Sequence, residues 1–384
     1  MVDTIAYLDH NAGTPVRPGV VAAVAEALAQ TGNPSSVHRY GRLARRLIED
    51  SRERVAALVD APAHGVIFTG SGTEADNLAL RGAGRPCFAT AIEHDAVLQA
   101  VPDIVPLAVD GDGVVDLDDL RTKLNALGRP ALVSVMFANN ETGVIQPVAD
   151  VVRVAHEHGA WVHCDAIQAA GKVPVSMRRL GVDMLSLSAH KLGGPPGIGA
   201  LVVVDGVALS PIIQGGGQER GRRAGTENLP AIAGFGAAAE IAQAALGDAE
   251  GLAALRDELE AELRRVCSEI AIFGSLAPRL PNTTCIAMPG VSSETQLMAF
   301  DLAGLAVSAG AACSSGKVRA SHVLRAMGVP AEIATTAIRV SLGWTNRVAD
   351  VRHFVAAWTA LYRKLGRAVV SAPATNHIVV RRKG

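Results

Sequence analysis

Between residues 60 and 205, seven short apolar runs alternate with segments of helical periodicity, and this alternation constrains the fold more than any other feature. The runs are GVIFTG, RPCFATA, DIVPLAV, PALVSVMFA, AWVHCDAI, DMLSLSAH and GALVVV. Near-continuous apolar strands that alternate with helices are typical of a mostly parallel sheet buried on both faces. We therefore predict an α/β fold built on a mostly parallel seven-stranded sheet. Ligands of such sheets bind beyond the carboxyl ends of the strands.

The chain after this sheet has a different pattern. Residues 228–267 predict two helices with a break near Gly247–Asp248, and strand and helix patterns are mixed after them. At 384 residues the chain also exceeds what one hydrophobic core usually serves. We predict a large domain over residues 15–250 and a smaller α+β domain made of residues 1–14 and 251–384.

Composition excludes several classes of protein. A formal net charge of −1 gives no electrostatic reason to expect binding to nucleic acid or to a membrane surface. The five cysteines are scattered and form no C-x-x-C pair, which argues against a disulfide framework and a zinc site and fits a reducing compartment. No signal-peptide pattern and no membrane-length apolar run is found. We expect a cytoplasmic protein that holds no metal.

Two ionisable residues follow neighbouring strand patterns. Lys191 comes after DMLSLSAH, with Ser188 and His190 beside it, and a lysine at such a position is either simply solvated or, when desolvated, able to form a Schiff base. Asp165 ends the preceding apolar run, 26 residues earlier, with Gln168 three residues on. A carboxylate there is costly unless it is needed. Pyridoxal phosphate (PLP) needs one, because an anion against its pyridinium nitrogen keeps that nitrogen protonated. The pair favours a PLP site.

A glycine-rich strand-to-helix turn, TGSGTEADN, is a candidate phosphate site. Gly70 and Gly72 allow close backbone approach, and Thr73 offers a hydroxyl. We predict a helix from Glu74 onward, whose N-terminal amides would attract phosphate. The turn lacks the lysine of a nucleotide P-loop, and alone it is as often structural as functional. It predicts a phosphate site only in combination with the lysine and the aspartate.

Three further polar segments leave both a structural and a functional interpretation open. His94 in AIEHDAV is either an ordinary histidine or one that stacks on a cofactor and relays protons. Asn139, Asn140 and Glu141 in FANNETGVIQP form a polar cluster after a strand, which turn formation alone explains poorly. The loop GGGQERGRRAGTEN, with Thr226, is either a solvated basic loop or part of an anion site.

Together these segments resemble the PLP-dependent class V aminotransferase superfamily, and within it the NifS/IscS-type cysteine desulfurases. The resemblance runs from YLDHNAGTPV to SAGAACSSGK and IRVSLG, nearly the whole chain. It implies the PLP-dependent transferase fold type I, and conversion of L-cysteine to L-alanine with sulfur passed to an enzyme cysteine and then to an acceptor or scaffold protein for iron–sulfur cluster assembly. The alternatives are another class V PLP enzyme, such as an aminotransferase or selenocysteine lyase, and a catalytically idle assembly subunit.

The resemblance also implies a cofactor site. Lys191 would form the Schiff base with PLP, Asp165 would pair with the pyridine nitrogen, and Gln168 would contact the phenolic oxygen. His94 would stack on the ring and move protons. Thr226 would reach the phosphate from the neighbouring subunit of a homodimer. The matching positions are Gly72, Thr73, His94, Asp165, Gln168, Ser188, His190, Lys191 and Thr226.

For the substrate, the resemblance implies contacts from Asn140 and Arg339, the latter by a two-pronged contact with the substrate carboxylate. Cys313 matches the catalytic cysteine, in a loop of small residues at about 308–325. A free thiol has a pKa of about 8.5, so a neighbouring base or cation is expected, and His94 is the candidate. Two positions depart from the family pattern: Gly13 replaces a threonine, and Pro196 replaces a basic residue.

Overall fold

The computed structural model describes residues 5–310 and 320–366. The described residues form thirteen strands: β1 Ala6–Tyr7, β2 Val66–Thr69, β3 Cys87–Thr90, β4 Val105–Leu107, β5 Leu132–Met136, β6 Trp161–Asp165, β7 Met184–Ser188, β8 Gly199–Val203, β9 Ala271–Ile272, β10 Thr283–Ala287, β11 Leu305–Ala306, β12 Ser308–Ala309 and β13 Ala337–Ser341. They also form thirteen α-helices: α1 Pro18–Leu28, α2 Arg39–Leu58, α3 Gly72–Ala83, α4 Asp95–Leu98, α5 Leu117–Leu127, α6 Val148–Glu157, α7 Met177–Leu180, α8 Leu229–Ala244, α9 Ala249–Val266, α10 Ser293–Leu302, α11 His322–Ala326, α12 Ala331–Ala334 and α13 Val348–Leu365.

The central sheet has seven strands in the order β2-β8-β7-β6-β5-β3-β4. Strand β8 runs antiparallel to both of its neighbours, whereas the other pairs are parallel. Each of the seven apolar runs of the sequence forms one of these strands. The predicted α/β fold with a mostly parallel seven-stranded sheet is therefore confirmed.

Both faces of this sheet are buried, which explains its continuous apolar strands. In β8, Ala200 and Val202 join the larger hydrophobic cluster, while Leu201 and Val203 join a second cluster. Because successive strand residues point to opposite faces, the two clusters lie on opposite sides of the sheet. Helix α8 packs against α1 and α2 over the larger cluster, and α3 packs against β7 and β8.

Helices α8 and α9 are joined by a short 3-10 turn, Ala245–Asp248, at the predicted break. By length and composition alone, residues 229–266 are long and apolar enough to cross a membrane. More than half of their most apolar window is buried inside the fold, and a buried core helix satisfies the same criteria. The absence of a membrane association stays a prediction.

A second sheet, β12-β13-β10-β9, is antiparallel, and β1 pairs in parallel with β11 beside it. A separate hydrophobic cluster lies here, in which Leu8 from the start of the chain joins Phe354 and Trp358 of α13. The N-terminal segment therefore packs with the C-terminal part of the chain. The domain limits at residues 15 and 250 stay a prediction.

Candidate active site

A cavity of about 430 Å³ lies at the carboxyl ends of β5, β6 and β7, the edge of the sheet at which the sequence predicts a ligand. It brings together most of the predicted site residues: Gly72, Thr73, His94, Asn140, Asp165, Gln168, Ser188, His190, Lys191 and Arg339. Cys313 lies outside the described residues. Thr226 is exposed and lines a smaller neighbouring cavity that shares Gly197 with this one.

Asp165 closes the inner end of this cavity as the last residue of β6. Its Oδ1 accepts the Ile167 N–H at 2.9 Å, and the residue is only 6 % exposed. Burial raises the pKa of Asp165, and the hydrogen bond from the Ile167 N–H and the positive charge of Lys191 oppose that rise. Two residues of opposite charge therefore meet at the ends of the adjacent strands β6 and β7.

Lys191 ends the 3-10 turn Ala189–Lys191 that follows β7. Its Nζ donates to the Ala12 carbonyl at 2.9 Å and to the Asn11 carbonyl. Burial, followed by the positive charge of Arg339, lowers the pKa of Lys191 to about 8. A larger fraction of this amine is therefore neutral near physiological pH than in an exposed lysine, which suits it to attack an aldehyde.

The glycine-rich turn forms an anion cradle. Helix α3 begins at Gly72, two residues before the predicted start at Glu74, because the Ser71 Oγ accepts the Glu74 N–H at 3.1 Å and caps the helix. A Cβ on Gly72 would collide with the Ile167 side chain and come within 3.2 Å of Ser188 Cβ. Only glycine therefore keeps this helix N-terminus close to the cavity, where its amides attract a phosphate.

His94 stands at the N-terminus of α4, where its Nδ1 accepts the Ala96 N–H at 3.0 Å. Because a backbone N–H can only donate, Nδ1 carries no proton in this arrangement. A neutral His94 ring therefore holds its proton on Nε2. In this state Nε2 offers the cavity a hydrogen-bond donor, and the ring can accept a proton only at Nδ1, after the contact with Ala96 is broken.

Arg339, in the middle of β13, is held from two sides. Its Nη2 donates to Asp9 Oδ1 at 2.6 Å, and its Nη1 donates to the Asn140 carbonyl at 3.0 Å. The buried Nε has no hydrogen-bond partner among the described residues. The guanidinium is thus oriented in advance, with donor capacity left for a ligand in the cavity.

Comparison with the sequences and solved structures of other proteins identifies the family of this chain. The model of the aminotransferase class-V family matches residues 6–354. A cysteine desulfurase of Cereibacter sphaeroides is 44% identical over 357 residues, which cover 88% of this chain and 91% of the relative. The chain belongs to the cysteine desulfurases of the aminotransferase class-V family.

Solved structures of desulfurase relatives share the fold. A NifS-like protein from Rickettsia africae has a TM-score of 0.87 and 35% sequence identity, covering 94% of this chain and 99% of that protein. SspA, solved in complex with cysteine, has a TM-score of 0.76 and 30% identity, covering 88% of this chain and 98% of that protein. The predicted family and its fold are therefore confirmed.

Sequence reasoning about this desulfurase site missed Asn11. Its carbonyl accepts from Lys191 and, at 2.9 Å, from Gln168 Nε2, while its Oδ1 accepts from Lys172 Nζ at 2.8 Å. Its Nδ2 donates to Asn140 O at 3.1 Å. Asn11 therefore joins the side of the cavity formed by Lys191 and Gln168 to the side formed by Asn140. The only signal in the sequence was its place in the polar run DHNAGTP.

Asp76 was also missed. It lines the cavity from α3, is 1% exposed, and neither carboxylate oxygen has a hydrogen-bond partner among the described residues. Its Oδ1 lies 3.6 Å from His163 Nε2. Burial raises the pKa of Asp76 well above its usual range. The available signal was a charged residue on the apolar face of α3, between the buried Ala75 and Ala79.

The two departures from the desulfurase pattern fall at the rim of the cavity. A Cβ on Gly13 would lie 3.5 Å from His190 Nδ1, an ordinary contact, so the missing threonine would have met this histidine. Pro196 is exposed and lines the cavity. Among the described residues, no group of three or more His, Cys, Asp or Glu side chains is placed to hold a metal ion.

Proposed function

We propose that this chain is a PLP-dependent cysteine desulfurase that converts L-cysteine to L-alanine and takes up the sulfur on Cys313. The observation that carries the proposal is the meeting of Lys191, Asp165 and Arg339 in one cavity. These three residues supply an amine of lowered pKa, a buried carboxyl group and an oriented guanidinium. The relative solved in complex with cysteine supports this substrate.

The residues present fit PLP. Lys191 would attach the cofactor covalently, Asp165 would face its pyridine nitrogen, and the N-terminus of α3 with Ser188 and His190 would hold its phosphate. When bound, PLP supplies an electron sink that stabilises negative charge on the substrate carbon atoms. Burial lowers the pKa of His190 to about 4, so this histidine is neutral at physiological pH and offers a hydrogen bond without a positive charge.

The substrate would be oriented by its carboxylate. Arg339 and Asn140 lie at the end of the cavity next to β13, and the guanidinium is already fixed by Asp9. A charge-assisted contact to the carboxylate would place the substrate amine towards Lys191. His94 lies at the rim, where its Nε2–H can donate a hydrogen bond to the substrate. Proton transfer by this side chain would use the imidazolium form, which carries a proton on both nitrogens.

The sulfur acceptor is proposed to be Cys313 because the four described cysteines are poor candidates. Cys87, Cys164, Cys267 and Cys285 are all buried. Burial raises the pKa of the Cys87 thiol to about 11, and it also raises the pKa values of Cys164 and Cys285. Since the thiolate is the nucleophile, these thiols are unreactive at neutral pH.

The length of chain between Gly310 and Cys313 limits how far the thiol can be from Gly310. Cys313 follows Gly310 by three residues, and three residues of chain span at most about 11 Å. Gly310 lies against Glu141, the neighbour of Asn140 in the chain. Sulfur transfer breaks the substrate C–S bond and forms an S–S bond to the Cys313 thiolate. The electron pair of the C–S bond stays with carbon, which takes a proton and becomes the methyl group of L-alanine.

The test is to supply L-cysteine to the PLP-loaded protein and to measure L-alanine and, with a thiol reductant, sulfide. Equal amounts of both products, lost in Cys313→Ala, are expected. Undiminished sulfide release from Cys313→Ala would refute the persulfide step. Turnover that requires a keto-acid acceptor would instead identify an aminotransferase, and activity restricted to selenocysteine would identify a selenocysteine lyase.

We further propose that the enzyme is a cytoplasmic homodimer in which Thr226 reaches the phosphate site of the partner subunit, and that an acceptor protein for iron–sulfur cluster assembly receives the sulfur. The exposed position of Thr226, away from its own chain's cofactor cavity, supports the shared site. The dimer is tested by sedimentation. Mixed dimers of Thr226→Ala and Lys191→Ala subunits should have one impaired and one unimpaired site, whereas inactive mixtures would contradict the sharing.

A further inference from the structure

Glu141 is a buried carboxylate that the proposed reaction does not use. It follows β5 in a tight turn, in which the Asn139 Oδ1 accepts the Glu141 N–H at 2.9 Å. The residue is 2% exposed, and burial raises the pKa of Glu141 to about 7. A buried carboxyl group destabilises the fold unless it makes specific contacts, so its partners indicate why it is there.

Those partners are the two chain segments that flank residues 311–320. The Ser321 Oγ donates to Glu141 Oε2 at 2.6 Å. Gly310 lies against the same oxygen so closely that a Cβ on Gly310 would collide with Glu141 Oε2 and Cδ. That Cβ would also come within 3.5 Å of Ser321 Cβ. One carboxylate therefore brings Gly310 and Ser321 side by side.

Both flanking positions are anchored in the fold. Strand β12, which ends just before Gly310, pairs with β13 so that Ser308 is opposite Arg339. On the other side, Ser321 Oγ also accepts the Leu324 N–H at 3.1 Å and so caps α11. Glu141 thus joins the end of β12 to the start of α11 next to Asn140 and Arg339, the residues proposed to bind substrate.

We propose that Glu141 is a positioning residue for sulfur transfer: it holds Gly310 and Ser321 together beside the substrate and thereby sets the base from which Cys313 reaches the substrate sulfur. The inference rests on the proposed function of Cys313. Because Glu141 contacts the flanks of the Cys313 segment, its loss affects the sulfur-transfer step. The earlier step, in which L-cysteine binds and reacts at Lys191, does not depend on these contacts.

The experiment uses the PLP-loaded enzyme and follows the two steps separately in a single turnover. The change in cofactor absorbance on adding L-cysteine reports the first step, and the Cys313 persulfide, trapped by alkylation and weighed by mass spectrometry, reports the second. In Glu141→Gln, assayed above pH 7, we expect the first step to stay within about twofold of wild type. Persulfide formation should slow about tenfold, because a neutral amide oxygen replaces the charged acceptor of the Ser321 hydroxyl. Glu260→Gln is the matched control, because Glu260 is a buried glutamate paired with Arg279 outside the site.

Exchanging the donor and the acceptor of the hydrogen bond between Ser321 and Glu141 distinguishes a positioning role from a general loss of stability. Ser321→Asp keeps a side-chain acceptor for the Leu324 N–H but places a second carboxyl group against Glu141, so it should slow persulfide formation by more than Glu141→Gln. In the double variant Glu141→Gln with Ser321→Asp, the new amide can donate to the new carboxylate. The double variant should therefore form persulfide faster than either single variant.

Two results would overturn the inference. One is wild-type persulfide formation in Glu141→Gln, and the other is an equal loss of both steps that the double variant does not restore. Either result leaves the proposed function standing as long as sulfide release still depends on Cys313. If the proposed function is wrong, the pattern is different. Cys313→Ala would then still release sulfide, and the rate of sulfide release would not depend on Glu141.

Discussion

Arg339 and Asp9 form an ion pair of 2.6 Å that joins the last strand of the second sheet to the N-terminal segment. The side chains of the pair are 7% and 16% exposed, so solvent screens it little. The other oxygen of Asp9, Oδ2, accepts from Ser308 Oγ at 2.8 Å. Asp9 therefore fixes the guanidinium proposed to bind the substrate carboxylate.

The first prediction follows from this pair. In Asp9→Ala, Arg339 loses its orientation but remains in the cavity, so binding of L-cysteine should weaken in the ground state and the transition state alike. We expect KM for L-cysteine to rise about tenfold, while kcat stays within about threefold of wild type. This rise in KM is the effect expected from the loss of one charge-assisted contact. Steady-state kinetics measure both constants. Asp205→Ala, at an exposed aspartate paired with His64, serves as the control; a tenfold fall in kcat with unchanged KM would contradict the role of Asp9.

The second prediction concerns the pH dependence of cofactor loading. Only the neutral amine attacks an aldehyde, and the pKa of Lys191 is lowered from 10.5 to about 8. The rate at which cofactor-free enzyme combines with PLP should therefore rise with pH and reach half of its maximum near pH 8. Absorbance after rapid mixing measures this rate. Since Arg339 helps to lower this pKa, Arg339→Gln should shift the midpoint upward; a midpoint near that of an exposed lysine in the unchanged enzyme would refute the assignment.

The third prediction concerns the anion cradle. Gly72→Ala places a methyl group against Ile167 and Ser188, so the N-terminus of α3 must move away from the cavity. We expect PLP affinity to fall about tenfold or more, because this helix N-terminus is proposed to hold the phosphate. Equilibrium dialysis of PLP measures the loss. Gly251→Ala, in α9, is the control for the same change, because a Cβ there would have open space, and equal losses in both variants would contradict the cradle.

The fourth prediction is about stability. Arg52 and Glu219 form a buried two-pronged pair at 2.7 and 2.9 Å, and Glu219 Oε2 also accepts the Phe68 N–H at 3.0 Å. Glu219→Ala removes the two-pronged partner of a buried arginine and leaves it Glu49 at 3.2 Å and the Val66 carbonyl. The free energy of unfolding should fall by about 3 kcal/mol. Urea titration followed by circular dichroism measures it. Asp50→Ala, which removes an exposed pair with Arg46, should cost under about 1 kcal/mol, and a similar cost in both variants would contradict the prediction.

The sequence predicted the central sheet well because buried parallel strands leave continuous apolar runs. It missed β1, since two residues such as Ala6–Tyr7 are too short to show periodicity. It also missed the conformation of the basic loop. There, Glu219 and Arg220 adopt positive φ angles of 45° and 59°, which the buried pair with Arg52 stabilises and which no local pattern indicates.

The site residues that could be predicted are those whose type and position in the sequence indicate their chemical role. A lysine and an aspartate at strand ends are such residues, and the structure brings Lys191 and Asp165 into one cavity. Asn11 could not be predicted, because it acts through contacts with residues 129 to 330 positions away, among them Asn140, Lys172 and Ser341. Only tertiary structure shows such contacts.

The contacts between the N-terminal segment and β13 have a consequence for the order in which the fold is completed. Leu8 and His10 exchange backbone hydrogen bonds with Ser341, and the Asn11 N–H donates to Ser341 Oγ at 2.9 Å. Synthesis begins at the N-terminus, so the central sheet can form while the first eleven residues are still without these partners. Until β13 has emerged from the ribosome, the cavity of the nascent chain is incomplete. Residues 8–11 leave the ribosome long before β13 and are thus fixed in place only after it.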